Sequence, residues 1–108
     1  MTEISVVIRD FIIREGIDPQ ATNDGNCEWF AKEICKLIPD ANLVSDTILW
    51  SLKSNEDGFD HAFVEYKGRF YDSETPDGVD DWALLPFFVR ERRLRSQIWR
   101  RKMKSNHD

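Results

Sequence analysis

The sequence predicts an α+β fold, with helices packed on a small antiparallel β-sheet. Three observations predict it. Apolar residues early in the chain recur at helical spacing. Two short alternating segments flank Lys67-Gly68, as the arms of a β-hairpin would. A third helical pattern, rich in arginine, follows them. Helices, then strands, then a helix is the order of an α+β domain rather than of a parallel α/β one. The 108 residues make a single domain, 1–108, and 4 Trp, 2 Tyr and 7 Phe supply a core that a disordered chain would lack.

Each element has its own reason. Ile4, Val7, Ile8, Phe11 and Ile12 form one helical stripe, which Gly16 and Pro19 are expected to end. Residues 20–26 read as a polar loop dense in helix-capping residues. Cys27, Phe30, Ala31, Ile34, Cys35 and Ile38 then follow the spacing i, i+3, i+4, i+7, i+8, i+11. Asp24 or Asn26 would cap this second helix, and Pro39 would end it. Residues 43–52 alternate as a strand, with Ile48, Trp50 and Leu52 on one face, and 53–59 form a loop. Residues 60–66 and 69–73 are the hairpin arms. An acidic, turn-rich loop fills 74–81, and the acidic stretches 55–60 and 72–81 read as solvated, without the spacing of an EF-hand. A last helix runs from about Phe87 to about Met103, with Leu94 and Ile98 facing inward. Trp50, Trp82, Phe87 and Phe88 read as core.

Charge is unevenly distributed. Residues 1–85 hold 18 acidic and 7 basic side chains, a net of −11, whereas residues 86–108 hold 8 basic and 2 acidic, a net of +6. The body would repel nucleic acid, and only the basic C-terminal helix, about 87–104, could attract it. Arg92, Arg93, Arg95, Arg100 and Arg101, with Trp99 to stack, would be the residues of such a contact. The favoured reading is intramolecular, a basic helix lying on an acidic body. No apolar run approaches the ~18 residues of a membrane span, and Glu3, Arg9 and Asp10 interrupt the N-terminal stretch, so it does not read as a signal peptide. No membrane partner is expected. Eight residues of helix separate Cys27 from Cys35 by ~12 Å, beyond the ~7 Å between Cα atoms that a disulfide allows. Two free thiols fit a reducing, cytoplasmic compartment.

Three residues could carry chemistry together. A thiol in the first turn of a helix, where Cys27 lies, feels the positive end of the helix dipole, which favours the reactive thiolate. Cys35, in mid-helix, reads as a buried packing residue. If Lys67-Gly68 is a two-residue turn, Tyr66 pairs with Arg69, Phe63 faces Asp72, and His61 faces Glu74. His61 and Asp72 then share one face of the sheet as diagonal neighbours. That is the relation a histidine needs with an orienting carboxylate, and Glu74 is a second such group. A turn longer or shorter by one residue would move Asp72 to the opposite face.

The order Cys, His, Asp and two sequence blocks resemble the papain-like and transglutaminase-like superfamily of thiol enzymes. One block is Asp24-Gly25-Asn26-Cys27-Glu28-Trp29-Phe30-Ala31. The other is His61-Ala62-Phe63-Val64-Glu65-Tyr66-Lys67-Gly68-Arg69-Phe70-Tyr71-Asp72, which with the following residues to Gly78 also resembles small phage and bacterial proteins. The resemblance spans residues 24–78, and it implies a catalytic-like core at about 20–85 with a papain/transglutaminase-like architecture. It makes Cys27 the nucleophile, His61 the base and Asp72 the group that orients it. The backbone N–H of Cys27 would face the oxyanion, with Gln20, Asn23 or Asn26 as a second donor. The implied function is thiol-dependent acyl transfer on a protein or peptide, by a peptidase, amidase, deamidase or transglutaminase, with no cofactor and no metal. Two features depart from the family. Glu28 puts a carboxylate beside the thiol and is expected to raise its pKa, and Phe63 stands where many transglutaminase-like members carry Trp. The alternatives are a non-catalytic binding or inhibitor protein on the same fold, and nucleic-acid binding through the basic helix. Zinc on Cys27, His61 and Asp72 lacks any supporting ligand spacing.

Overall fold

A computed structural model describes residues 3–45 and 61–105, with the backbone alone for residue 95 and residues 98–105. The expectations for Ile48, Trp50, Leu52 and the loop 53–59 lie outside the described residues. The fold is α+β: the described residues form four helices and a three-stranded antiparallel sheet. In chain order these are α1 (Glu3–Glu15), α2 (Pro19–Asn23), α3 (Cys27–Leu37), β1 (Asn42–Val44), β2 (Phe63–Tyr66), β3 (Arg69–Tyr71), a 3-10 turn (Trp82–Leu84) and α4 (Pro86–Ser105).

Helix α1 stops at Gly16, which takes φ 61°. Gly16 N–H reaches Ile13 O at 3.2 Å, and Ile17 N–H reaches Ile12 O at 3.3 Å, the paired bonds of a Schellman end. Pro19 does not merely end a helix, as the sequence suggested. It starts α2, a short helix within the predicted loop 20–26. Asp18 caps it by accepting from Ala21 N–H at 3.1 Å, and proline is well suited to the first helical position because its missing N–H would be unpaired there anyway. The Asp18-Pro19 pair was a readable start signal.

The hairpin has the expected register. Tyr66 pairs with Arg69, Glu65 with Phe70 and Val64 with Tyr71. Lys67 and Gly68 both take positive φ, 51° and 79°, as a twist-matched two-residue turn requires. Strand β2 is central, pairing with β1 on its other side, Val44 to Phe63.

A central strand between two layers must bury both faces, and β2 does. Val64 and Tyr66 pack with Ile4, Ile8, Phe11, Phe30, Ala31 and Ile34 of α1 and α3. Phe63, on the opposite face, packs with Leu85, Phe87 and Phe88, with Trp82 partly buried against them. His61 and Asp72 belong to this second face by the alternation of the strands.

The loop after β3 is tied down rather than solvated along its length. Val79 forms a β-bridge with Phe70. The Arg69 guanidinium contacts Asp80 and donates to Gly78 O at 2.9 Å. Gly78 has φ 78°, and a Cβ there would meet the Tyr71 ring at 2.6 Å, so the close approach admits only glycine. Arg9 grips Asp77 with two bonds of 2.7 and 2.6 Å, joining α1 to this loop. That pair is largely exposed and contributes little to stability.

Helix α4 lies on the body at its start. Phe87 and Phe88 are buried, and Arg90 is held by Glu74. Arg92 donates to Ala83 O at 2.6 Å. Arg92, Arg93, Leu94, Ser96 and Gln97 are all exposed. At 100° per residue these positions cover about 200° of the circumference, so this side of α4 is turned to solvent. This corrects two expectations. Leu94 faces solvent, 51% exposed, and does not turn inward. The described basic residues beyond Arg92 do not lie on the acidic body. Among the described residues, no helix is long and apolar enough to cross a membrane.

Candidate functional site

The site forms at the end of β2, where the N-terminus of α3 meets the turn into the sheet. Cys27 is the first residue of α3 and is half-buried. Asn26 occupies the cap position, but its side chain makes no capping hydrogen bond. The first turn of a helix leaves its N–H groups without helical partners. With no side-chain cap, the Glu28 N–H is free to serve the thiol, and it does so. A second N–H comes from across the fold: Ala62 donates to the Cys27 sulfur at 3.4 Å.

His61 is 1% exposed and walled by three phenylalanines. Phe87 stacks on its ring at 4.2 Å and 14°, Phe88 meets it edge-on at 5.3 Å, and Phe63 lies at 5.9 Å. The imidazole Nε2 lies 3.1 Å from Asp72 Oδ2. A carboxylate only accepts, so Nε2 carries the hydrogen and Nδ1 is left with its lone pair. Nδ1 is buried and has no hydrogen-bond partner among the described residues.

Asp72 is itself fixed. Its Oδ1 accepts from Glu74 N–H at 3.0 Å and from the Thr75 hydroxyl at 2.8 Å. Glu74, the other carboxylate considered for His61, is engaged elsewhere. It takes two bonds from Arg90, at 2.8 and 2.6 Å, and one from the Asn23 amide at 2.9 Å. The Ser73 hydroxyl donates to Pro19 O at 2.6 Å and lies 3.1 Å from Asn23 Oδ1. Thr22, Asn23, Ser73 and Asp72 thus form a buried polar shelf beneath the start of α3. It ties the exit of β3 to α2, and α2 leads directly into Cys27.

The electrostatics favour a charged pair. Burial opposes ionisation of the Cys27 thiol. The nearby His61 imidazole, the Ala62 N–H and the Glu28 N–H together outweigh it, so the thiol pKa lies below its ordinary value. Burial likewise opposes protonation of His61, but Asp72 and Cys27 outweigh it, and the imidazole pKa lies above its ordinary value. The two shifts point the same way, toward thiolate and imidazolium. Cys35 is the contrast: burial alone acts on it and pushes its pKa up.

The chain matches no family model, no curated protein and no solved structure.

Of the residues singled out in the sequence, Cys27, His61 and Asp72 are brought together. Gln20 and Asn26 are exposed, and neither lines the cleft beside Cys27. Asn23 does line it, although its amide already donates to Glu74. The expectation for Glu28 is corrected. Its carboxylate turns to Lys32 at 2.9 Å, and it reaches the thiol only through its backbone N–H, which lowers the pKa. Ala62 and Phe87 were missed. A backbone donor leaves no mark in residue identity, and Phe87 carried only the signal of a core aromatic. Arg92 and Arg93 are exposed on α4, Arg92 donating to Ala83 O, and the side chains of Arg95, Trp99, Arg100 and Arg101 lie outside the described residues. No cluster placed to hold a metal ion occurs among the described residues.

Proposed function

We propose that the chain is a thiol-dependent acyl-transfer enzyme built on a papain/transglutaminase-like core, with Cys27, His61 and Asp72 as its triad. The observation that carries this reading is the buried His61–Asp72 pair, whose free Nδ1 belongs to a ring that perturbs, and is perturbed by, the Cys27 thiol.

In the proposed step the Cys27 sulfur attacks an acyl carbon of a protein or peptide, and the carbonyl electrons move to oxygen. The oxyanion faces the Cys27 N–H at the open start of α3. The tetrahedral adduct collapses, the acyl group stays on sulfur as a thioester, and the leaving amine takes a proton from His61 Nδ1. Water, or a second amine, then attacks the thioester and gives its proton to His61, and the thiolate leaves. Asp72 keeps its hydrogen bond to Nε2 throughout and stabilises the imidazolium. Phe87, Phe88 and Phe63 keep water from the buried side of the ring.

The test is turnover. A panel of amide, isopeptide and ester substrates, followed by mass spectrometry, is expected to show hydrolysis or amine transfer that Cys27→Ala abolishes. A loss of about 10⁴-fold or more is expected, because removing a nucleophile leaves only the catalysis of binding and oxyanion contacts. Activity that survives Cys27→Ala would defeat the reading.

A second reading concerns α4. Arg93 is exposed on the solvent side of the helix, where a phosphate backbone could reach it. DNA or RNA binding is expected at low salt, falling steeply as salt rises. Absence of any mobility shift at low salt would end this reading.

A further inference from the structure

The cleft beside Cys27 has a volume of about 450 Å³ and is lined by Asn23, Asp24, Gly25, Cys27, Glu28, Phe87 and Glu91. That size lies within the usual range for a ligand site, about 300–1,000 Å³, and suits one long side chain together with the bond beside it. Its charged lining is entirely acidic. The nearest cations are already engaged: Lys32 with Glu28 at 2.9 Å, and Arg90 with Glu74 at 2.6 Å. Arg90 also feels Asp24, which softens but does not cancel the acidic rim. Behind the thiol that lines this cleft lies the independent sign of a reacting ligand, the buried and unpartnered Nδ1 of His61.

We infer that this cleft selects substrates with a positive charge next to the scissile acyl group, a lysine or arginine side chain of a peptide. The inference rests on the acyl-transfer reading above. Asp24 and Glu91 face the incoming charge from opposite sides, α2 and α4, and Phe87 offers an apolar wall to the aliphatic stem of such a side chain. A negatively charged group at the rim would meet the Asp24, Glu28 and Glu91 carboxylates, so the cleft discriminates by repulsion as well as attraction.

The test uses three methanethiosulfonates on the intact protein: neutral methyl, cationic trimethylammonioethyl and anionic sulfonatoethyl. Rates at Cys27 and Cys35 are read separately by mass spectrometry at low salt and neutral pH, and normalised to a free cysteine amide. Cys35 reports the general field of the acidic body. The cation-to-anion ratio at Cys27 is expected to exceed that at Cys35 by about tenfold, the scale on which a charged cleft concentrates its counter-ion. It should fall about threefold in Glu91→Gln and again in Asp24→Asn, and it should shrink with salt. Equal ratios at the two cysteines, or a ratio that Glu91→Gln leaves unchanged, would overturn the inference. The neutral reagent separates the two failures. Rapid neutral modification of Cys27 with a flat charge ratio defeats only the cation selectivity. A Cys27 inert to all three reagents defeats the acyl-transfer reading and the inference together.

Discussion

Alkylation of the native protein with iodoacetamide near pH 6 is expected to modify Cys27 faster than Cys35. A free thiol with pKa ~8.5 is only about 0.3% thiolate at that pH. A thiol held as thiolate by an imidazolium gains up to about a hundredfold in rate over such a free thiol, because the thiolate is the reacting form. The direction follows from the groups around Cys27, where the His61 and backbone N–H contributions outweigh burial. His61→Ala removes the largest opposing group and leaves burial, weakened only by the Ala62 and Glu28 N–H groups. The onset of alkylation should then move up toward the ordinary thiol value or beyond, and reactivity near pH 6 should fall about a hundredfold. Equal reactivity of Cys27 in the wild type and in His61→Ala would show that no dyad exists.

The same shifts fix how stability depends on pH. His61 has a folded pKa above its ordinary 6.5, so its contribution is fully present below that value. It is lost as pH rises through the folded pKa. Cys27 has a folded pKa below its ordinary 9.0, so its contribution is fully present above 9.0 and is lost as pH falls through the folded value. The two contributions therefore change in opposite directions as pH rises, that of His61 falling and that of Cys27 growing.

Asp72→Ala should be the most damaging single change in the buried polar layer. Asp72 is 1% exposed and holds three groups at once: the His61 ring, the Glu74 N–H and the Thr75 hydroxyl. Truncation strands the buried His61 ring and unties the half-buried Glu74 N–H and Thr75 hydroxyl. Removing one partner of such a buried pair costs about 3–5 kcal/mol, a large share of the ~5–15 kcal/mol that holds a domain this size together. Denaturant unfolding should register that loss, and the low-pH reactivity of Cys27 should disappear with it. Asp72→Asn separates architecture from charge. Its amide oxygen can still accept a hydrogen bond, so the variant should recover much of the stability. It lacks the negative charge that favours imidazolium, so the alkylation onset should still move up. An Asp72→Asn protein with wild-type stability and wild-type alkylation would show that the carboxylate has no electrostatic role.

Much of this arrangement was legible in the residues, for local reasons. The Lys67-Gly68 turn admits few backbone solutions, and its register decides which side chains share a face, so His61 and Asp72 could be paired by counting. The periodicity from Cys27 to Ile38 is long enough to place Cys27 in a first turn. What could not be read depends on contacts across the fold. The direction of the Glu28 carboxylate is decided by Lys32 one turn later, and the thiol sees the backbone instead. The Ala62 N–H is anonymous in sequence. Leu94 sits in a helical pattern that looks ready for burial, but it lies on the side of α4 turned to solvent. Asp18-Pro19 was the opposite case, a local start signal passed over because the helix it starts is only five residues long.

The two-residue turn between β2 and β3 has a consequence for how such a chain can vary. Lys67 sits at φ 51° and Gly68 at φ 79°, both pointing away from the body. Asparagine, aspartate or glycine would be accommodated at residue 67 without disturbing anything beneath. A single inserted codon would not. It would rotate every residue of the second arm by half a turn, carry Asp72 to the layer occupied by Ile34 and Phe30, and leave His61 among its phenylalanines without a carboxylate. The hairpin tip therefore tolerates changes of spelling but not of length, and gaps should be rarer there than substitutions in any lineage that keeps the triad.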